Sequence, residues 1–213
     1  MKLYLIRHGR QCDKRCNVDV SLSEEGIRQA RLTGKRMKDW GIEMVYSSDM
    51  LRAKETAYHA NQYWNVPHEI IPEFRELCFG QMEGLSDEEI QETFKDFKAR
   101  QDEMKEDIPY PGGESATELV HRAMPRLMEV AEHHKGSVAI ATHGVWIRAV
   151  LCHVLGMDMA RWRTIGVTFE NGSITELHYQ KSKNKFTLER FNDYAHLEPY
   201  PELLRGAWGV EEN

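Results

Sequence analysis

The 213-residue chain has no apolar run near the ~20 residues that a membrane-spanning helix requires. Its first apolar stretch, Met1 to Ile6, runs straight into Arg7-His8 and is too short for a signal-peptide core. A cytoplasmic location is therefore expected. Cysteine is scarce: Cys12, Cys16, Cys78 and Cys152 are the only four. Without a secretion signal they are expected to be free thiols. Cys12 and Cys16 lie four apart but lack a second close pair, so no metal site is expected. An excess of basic charge is missing too. Lys plus Arg number 28 against 34 Asp plus Glu, a net charge of −6. That balance favours solubility and argues against nucleic-acid partners. Repeats and long linkers are also absent.

The composition that remains, 41% hydrophobic and 29% charged, is that of an ordinary soluble protein. A chain this long makes one large domain, or one domain with an inserted flap. Strand-like and helix-like segments alternate along it, which predicts an α/β class. Leu3–Ile6 reads as a buried strand. Ser23 caps a helix expected to run to Trp40, with Glu24 and Glu25 in its first turn and Gly41 ending it. A strand over 44–47 follows, then a helix capped by Ser48 or Asp49 and a short strand over 69–71. Ser86–Glu89 and Ser115–Glu118 both read as capping boxes. The helix after Ser86 carries Phe94 and Phe97 and is densely charged to Asp107, which predicts a solvent-facing flap. Pro125 should kink or break the helix that starts near Ser115. Residues 137–142 form the clearest buried strand, followed by an apolar helix over 145–155. Asn171-Gly172 between runs 165–170 and 173–179 signals a hairpin, and 186–191 adds another strand. Residues 192–213 show little period and read as a tail.

Four chemistry-bearing positions follow four separate strands. Arg7-His8-Gly9 leaves the first, Arg52 the second, Glu76 the third, and His143-Gly144 the fourth. Ligands of open α/β sheets bind beyond the C-terminal strand ends, so these residues are expected at one edge. Each alone reads as a structural or solvated side chain; the argument rests on their convergence. Guanidinium forks and imidazole N–H groups suit a phosphoryl dianion. At 4 Å and an effective dielectric of ~20, each unit charge pair is worth on the order of 4 kcal/mol before desolvation. A histidine can attack phosphorus, and a carboxyl group can protonate a leaving oxygen.

Across roughly residues 1–180 these blocks, in this order, resemble the histidine phosphatase superfamily, also called phosphoglycerate mutase-like. The resemblance rests on Arg7-His8-Gly9, Leu22–Gly26 with Gln29-Ala30, and Ser47–Ala57. It continues through Arg75-Glu76-Leu77 with Phe79-Gly80, Pro111–Ser115, and Ala141–Val145. It implies a three-layer α/β/α sandwich with a mostly parallel central sheet and a small helical flap at about 73–114, all in a single domain over 1–213. It also implies that His8 is the nucleophile and becomes a phosphohistidine. Arg7, Arg52 and His143, with Gly144, would bind the phosphoryl group, and Glu76 would be the proton donor and later the base. No metal and no cofactor are implied.

The sequence departs from the family pattern after Gly9, where it reads Arg10-Gln11-Cys12-Asp13-Lys14-Arg15-Cys16-Asn17. Arg10, Lys14 and Arg15 are expected either to contact a second anionic group on the substrate or to be a solvated basic loop. Asn17 is left outside the site, and Cys12 reads as an inert thiol. The interval from Glu76 to His143 lacks the longer Arg- and Tyr-rich insertion of phosphoglycerate mutases. Hydrolysis of a small phosphorylated metabolite is therefore the expected reaction. A mutase using 2,3-bisphosphoglycerate, a protein phosphatase and a regulatory module of the same fold are the alternatives. No membrane partner is expected, and a homodimer is left open.

Overall fold

Alternation of side chains along the central strands of one sheet sets the layers. In the computed structural model, which describes residues 1–208, β1 spans Lys2–Arg7, β2 Ile42–Ser47 and β3 His68–Ile70. β4 spans Ser137–Thr142, β5 Ile174–Gln180 and β6 Lys185–Asp193. They form one sheet in the order β3-β2-β4-β1-β5-β6. The first four strands of that order are mutually parallel, and β5 and β6 extend the sheet antiparallel.

Successive residues of a strand face opposite ways. Leu3, Leu5, Val138 and Ile140 join a core with Leu119, Leu127, Trp146 and Val150 from helices α5 (Ala116–His133) and α6 (Gly144–Val154). Tyr4, Ile6, Val45 and Ala139 join a second core with Met37 and Ala57. Met37 ends helix α1 (Glu24–Arg36) and Ala57 belongs to α2 (Leu51–Asn61). Both faces of the sheet are thus covered, giving the expected sandwich. Every residue of β4 is buried. Full burial of a leucine-sized side chain contributes roughly 1.5–3 kcal/mol.

Several local expectations match and several do not. Ser23 caps α1 by accepting from the Gly26 N–H. Both capping boxes are present with reciprocal bonds. At α2 the expected cap is replaced. Ser48 Oγ accepts from Met50 N instead, and the free Leu51 N–H donates to Asp19 of the preceding loop. Asp49 pairs with Arg75. Pro125 lies inside one continuous 18-residue helix rather than at a break.

The charged flap helix divides at Phe94 into α3 (Asp87–Thr93) and α4 (Lys95–Asp102). The expected hairpin lies further along the chain. Residues 165–170 form no strand, and β5 turns through Lys181–Asn184 into β6, with Asn184 left-handed at φ 45°. The 165–170 run is diverted because its end serves the site: the Phe169 carbonyl accepts from Arg7, and Asn171 donates to His8. The tail is not loose as far as it is described. Leu197 and Leu203 are buried. Residues 209–213 lie outside the described residues.

Candidate active site

The register of two neighbouring parallel strands brings the histidines together. Arg7 of β1 lies opposite Thr142 of β4, so His8 and His143 each follow by one residue. Their ring centroids are 5.2 Å apart. His8 N donates to the Thr142 carbonyl at 2.8 Å, which ties the two strand ends. The turn after His8 needs glycine, because a Cβ on Gly9 would lie 2.5 Å from the Gly26 carbonyl oxygen at the start of α1.

His8 is held in one tautomer. Its Nδ1 lies 2.8 Å from the carbonyl oxygen of Gly9 and can only donate to it, which leaves the Nε2 lone pair free of a proton. Arg52 Nε donates to that Nε2 at 3.3 Å. Burial, then the charges of Arg52 and Arg7, lower the His8 pKa well below its ordinary 6.5. The ring is accordingly neutral near pH 7. Asn171 Nδ2 donates to the His8 carbonyl at 2.9 Å and fixes the backbone from behind.

Arg52 reaches the site from the first turn of α2. Its other nitrogens donate to the Val18 carbonyl and to Asn17 Oδ1, at 2.9 and 2.7 Å. Burial lowers its pKa, as it does for Arg7, which is brought down to about 9 by burial and then by Arg205. Both remain cationic at neutral pH. The Arg7 Nε is buried without a partner among the described residues. Gly144 keeps room for that guanidinium, since a Cβ there would come 3.2 Å from it. His143 is fully buried, with Nε2 2.8 Å from Ser48 Oγ and Nδ1 lacking a described partner. Burial and then Arg52 lower its pKa well below 6.5.

Glu76 approaches the N-terminus of α6. One carboxylate oxygen accepts from Trp146 N at 2.9 Å and from Leu77 N at 3.0 Å, and the other from Val145 N at 3.1 Å. A helix N-terminus suits a carboxylate through its unpaired N–H groups and its dipole. Arg122 of α5 donates to the Glu76 carbonyl and holds this loop against Glu114.

A cavity of about 410 Å³ opens over these groups. Arg7, His8, Arg52, Glu76 and Gly144 line it, with His143 packed behind His8. Lys14 and Arg15 also line it, although Arg15 is paired with Asp13 at 2.6 Å. Arg10 does not reach it. Its guanidinium turns the other way and donates to the Glu202 and Leu204 carbonyls, because the C-terminal segment supplies acceptors beside it. Among the described residues no group of three or more His, Cys, Asp and Glu side chains is arranged to hold a metal ion. Burial pushes the Cys16 thiol at the cavity wall up to about 11, so it stays protonated.

Reading the sequence missed Asn17, Asn171, Arg148, Arg205 and Trp208. Asn17, weighed and left out of the site on its sequence position, stands in the left-handed region at φ 50°, a conformation asparagine tolerates. Asn171 was hidden by the turn signal of its Asn-Gly pair. Arg148 lies one helical turn after Gly144 and therefore on the same face of α6. Nothing local in the sequence marks Arg205 or Trp208.

Known proteins resemble this chain in sequence and in fold. A metal-independent phosphoserine phosphatase of Arabidopsis thaliana is 29% identical over 217 residues, covering 96% of this chain and 87% of that one. A probable phosphoglycerate mutase, GpmB, of Salmonella paratyphi B is 28% identical over 207 residues, covering 93% and 95%. A solved mycobacterial glucosyl-3-phosphoglycerate phosphatase with inorganic phosphate has the same fold. Its TM-score is 0.81 at 23% identity, over 92% of this chain and 98% of that one. The model of the histidine phosphatase superfamily (branch 1) matches residues 3–194, and the chain belongs to that superfamily.

Proposed function

We propose that this protein is a metal-independent phosphomonoesterase acting on a small phosphorylated metabolite through a phosphohistidine at His8. One observation carries the reading: Nδ1 of a neutral His8 is tied to the Gly9 carbonyl, so Nε2 bears the lone pair inside a cationic pocket. Phosphatases among its relatives support the hydrolase reading.

In the first step His8 Nε2 attacks phosphorus and the ester P–O bond breaks. Arg7 and Arg52 hold the phosphoryl oxygens, and His143, whose ring lies 5.2 Å from that of His8 and whose Nδ1 has no partner among the described residues, would donate to the same charge. Glu76, in its carboxylic acid form, gives its proton to the departing oxygen. In the second step Glu76 takes a proton from water, the oxygen attacks phosphorus, and the P–N bond breaks to release phosphate.

A mutase reading keeps one supporting observation, the relative named as a probable phosphoglycerate mutase. Phosphate release is measured on a panel including 3-phosphoglycerate with and without 2,3-bisphosphoglycerate, with 2-phosphoglycerate assayed alongside. Wild type should release phosphate and form one acid-labile, alkali-stable phosphoenzyme per chain, and His8→Ala should do neither. Isomerisation without release would replace hydrolysis by mutation of phosphate position. Turnover by His8→Ala at wild-type rates would remove the nucleophile.

A further inference from the structure

The cavity carries more positive charge than one phosphoryl group can offset. Six cationic side chains line it, Arg7, Lys14, Arg15, Arg52, Arg148 and Arg205, against two carboxylates, Glu76 and Asp87. Only Arg15 among the six has an ion-pair partner among the described residues. A phosphoryl dianion held by Arg7 and Arg52 leaves Arg148 and Arg205 facing the same space. Like charges gathered around one cleft repel; Arg205 is exposed and Arg148 half-buried, so water screens part of that repulsion, and a further anion in the cleft would relieve the rest.

Arg205 is put there by a built anchor. Arg10 and Gln29, both buried, donate to the carbonyls of Glu202, Leu203 and Leu204 at 3.1, 2.6 and 3.0 Å. Arg205 N donates to Glu170 at 2.7 Å. Leu203 is buried beneath this segment. The Arg10 and Arg205 guanidinium carbons stand 5.7 and 5.9 Å from the Trp208 ring centre. After burial, Arg205 is the largest influence lowering the Arg7 pKa, in keeping with its place beside the phosphoryl pocket. Arg148 spends Nε and one terminal nitrogen on the Ile165 and Gly166 carbonyls, at 2.8 and 2.7 Å, which hold it rigid.

We propose that Arg205, with Arg148 beside it, forms a subsite for a second anionic oxygen group on the organic half of the phosphoester, and that Arg10 is the positioning residue that holds Arg205 in place. The proposal rests on the phosphoryl site assigned above. It selects substrates carrying a carboxylate or a second phosphate over phosphoesters of neutral alcohols.

The test is calorimetric binding of non-hydrolysable phosphonates to the full chain, which needs no turnover. Propylphosphonate carries the first anion alone, 3-phosphonopropionate adds a carboxylate, and propane-1,3-diphosphonate adds a second phosphonate. Wild type should bind at least one of the two longer anions about tenfold or more tighter than propylphosphonate, the scale of one charge-assisted contact. The tighter of the two identifies the second group. Arg205→Gln should erase that preference, Arg205→Lys should keep part of it, and Arg10→Ala should reduce it.

Equal binding of all three probes by wild type overturns the subsite, as does a preference that survives Arg205→Gln. Uniform weakening of all probes by Arg205→Gln assigns Arg205 to the phosphoryl pocket and also overturns it. Failure of the hydrolase reading shows separately, as absent phosphate release beside intact phosphonate binding.

Discussion

The cavity floor and the flap beside it differ most in burial. His8, Arg52 and His143 on the floor expose 6%, 2% and 0% of their surface. On the flap no residue of α3 is buried, and α4 buries only Gln101. Floor side chains are fixed by strand register and by bonds from neighbouring backbone, so a small shift in any of them misplaces a charge. Flap side chains are half-free, held by Phe97 and Phe79 against Tyr110 at ring-centre distances of 5.3 and 4.8 Å. The two regions are therefore held by different means, hydrogen bonds on the floor and aromatic packing on the flap. The flap can change with little effect on the nucleophile.

Four expected outcomes press on that contrast, from the largest to the smallest. Glu76→Gln keeps an oxygen that accepts from Trp146 N and Leu77 N, loses the acceptor for Val145 N, and has no acidic proton. It should slow alkyl phosphates by roughly 10²–10³-fold. Aryl phosphates, whose leaving groups need no proton, should lose much less in the first step, seen as burst kinetics with p-nitrophenyl phosphate. Equal losses in that burst on both classes would remove Glu76 as the acid.

The floor also fixes a pH response. Because burial and nearby arginines lower the His8 pKa, the neutral nucleophile persists as pH falls past 6.5. The acid limb of kcat/KM assigned to His8 should therefore lie well below 6.5, with a fall of about tenfold per pH unit beyond it. A His8 limb at 6.5 would instead show an ordinary, solvated histidine. The same sign applies to stability. The unfolded ring binds a proton below 6.5 and the buried one does not, so this contribution is present above 6.5 and is lost as pH falls toward the folded value.

Asn17 bridges the two regions, touching Arg52 on the floor and Glu83 beside the flap. Asn17→Gly, which keeps the left-handed backbone, should lower kcat/KM by about tenfold, the scale of one hydrogen bond to a charged group, with Tm nearly unchanged. An unaltered kcat/KM would place Arg52 under the control of Val18 alone. Phe97→Ala should cost about 1–2 kcal/mol of stability from a half-buried ring, read by urea unfolding. Its burst rate with p-nitrophenyl phosphate should stay within about twofold, since it touches nothing on the floor. A tenfold loss there would mean the flap positions the nucleophile after all.

Much of the floor could be read without coordinates. A short apolar run followed by Arg7-His8-Gly9, and a second followed by His143-Gly144, state both the residue types and their place at strand ends. Both capping boxes held because their bonds close within three residues. Errors arose where a local signal had a distant competitor. Asn171-Gly172 carries the signature of a hairpin, yet its side chain is taken by His8, 163 residues away. Ser48 looked like the cap of α2, but Asp19 satisfies the Leu51 N–H from a separate loop.

Arg10 shows the same limit most plainly. Its position beside the nucleophile suggested substrate contact, while its bonds run to carbonyls 192 and 194 residues away. The amino-acid sequence by itself determined the α/β layering, because strand patterning and capping are local physics, while its ordered motif blocks carried the resemblance to the superfamily and pointed to Arg7, His8, Arg52, Glu76 and His143. Only the tertiary structure decided that Asn17 buttresses Arg52, that Asn171 steadies His8, and that Arg10 turns away from the cavity to hold Arg205 at its wall. Those assignments depend on which unsatisfied donors and acceptors meet when distant segments fold together, and no local pattern encodes that meeting.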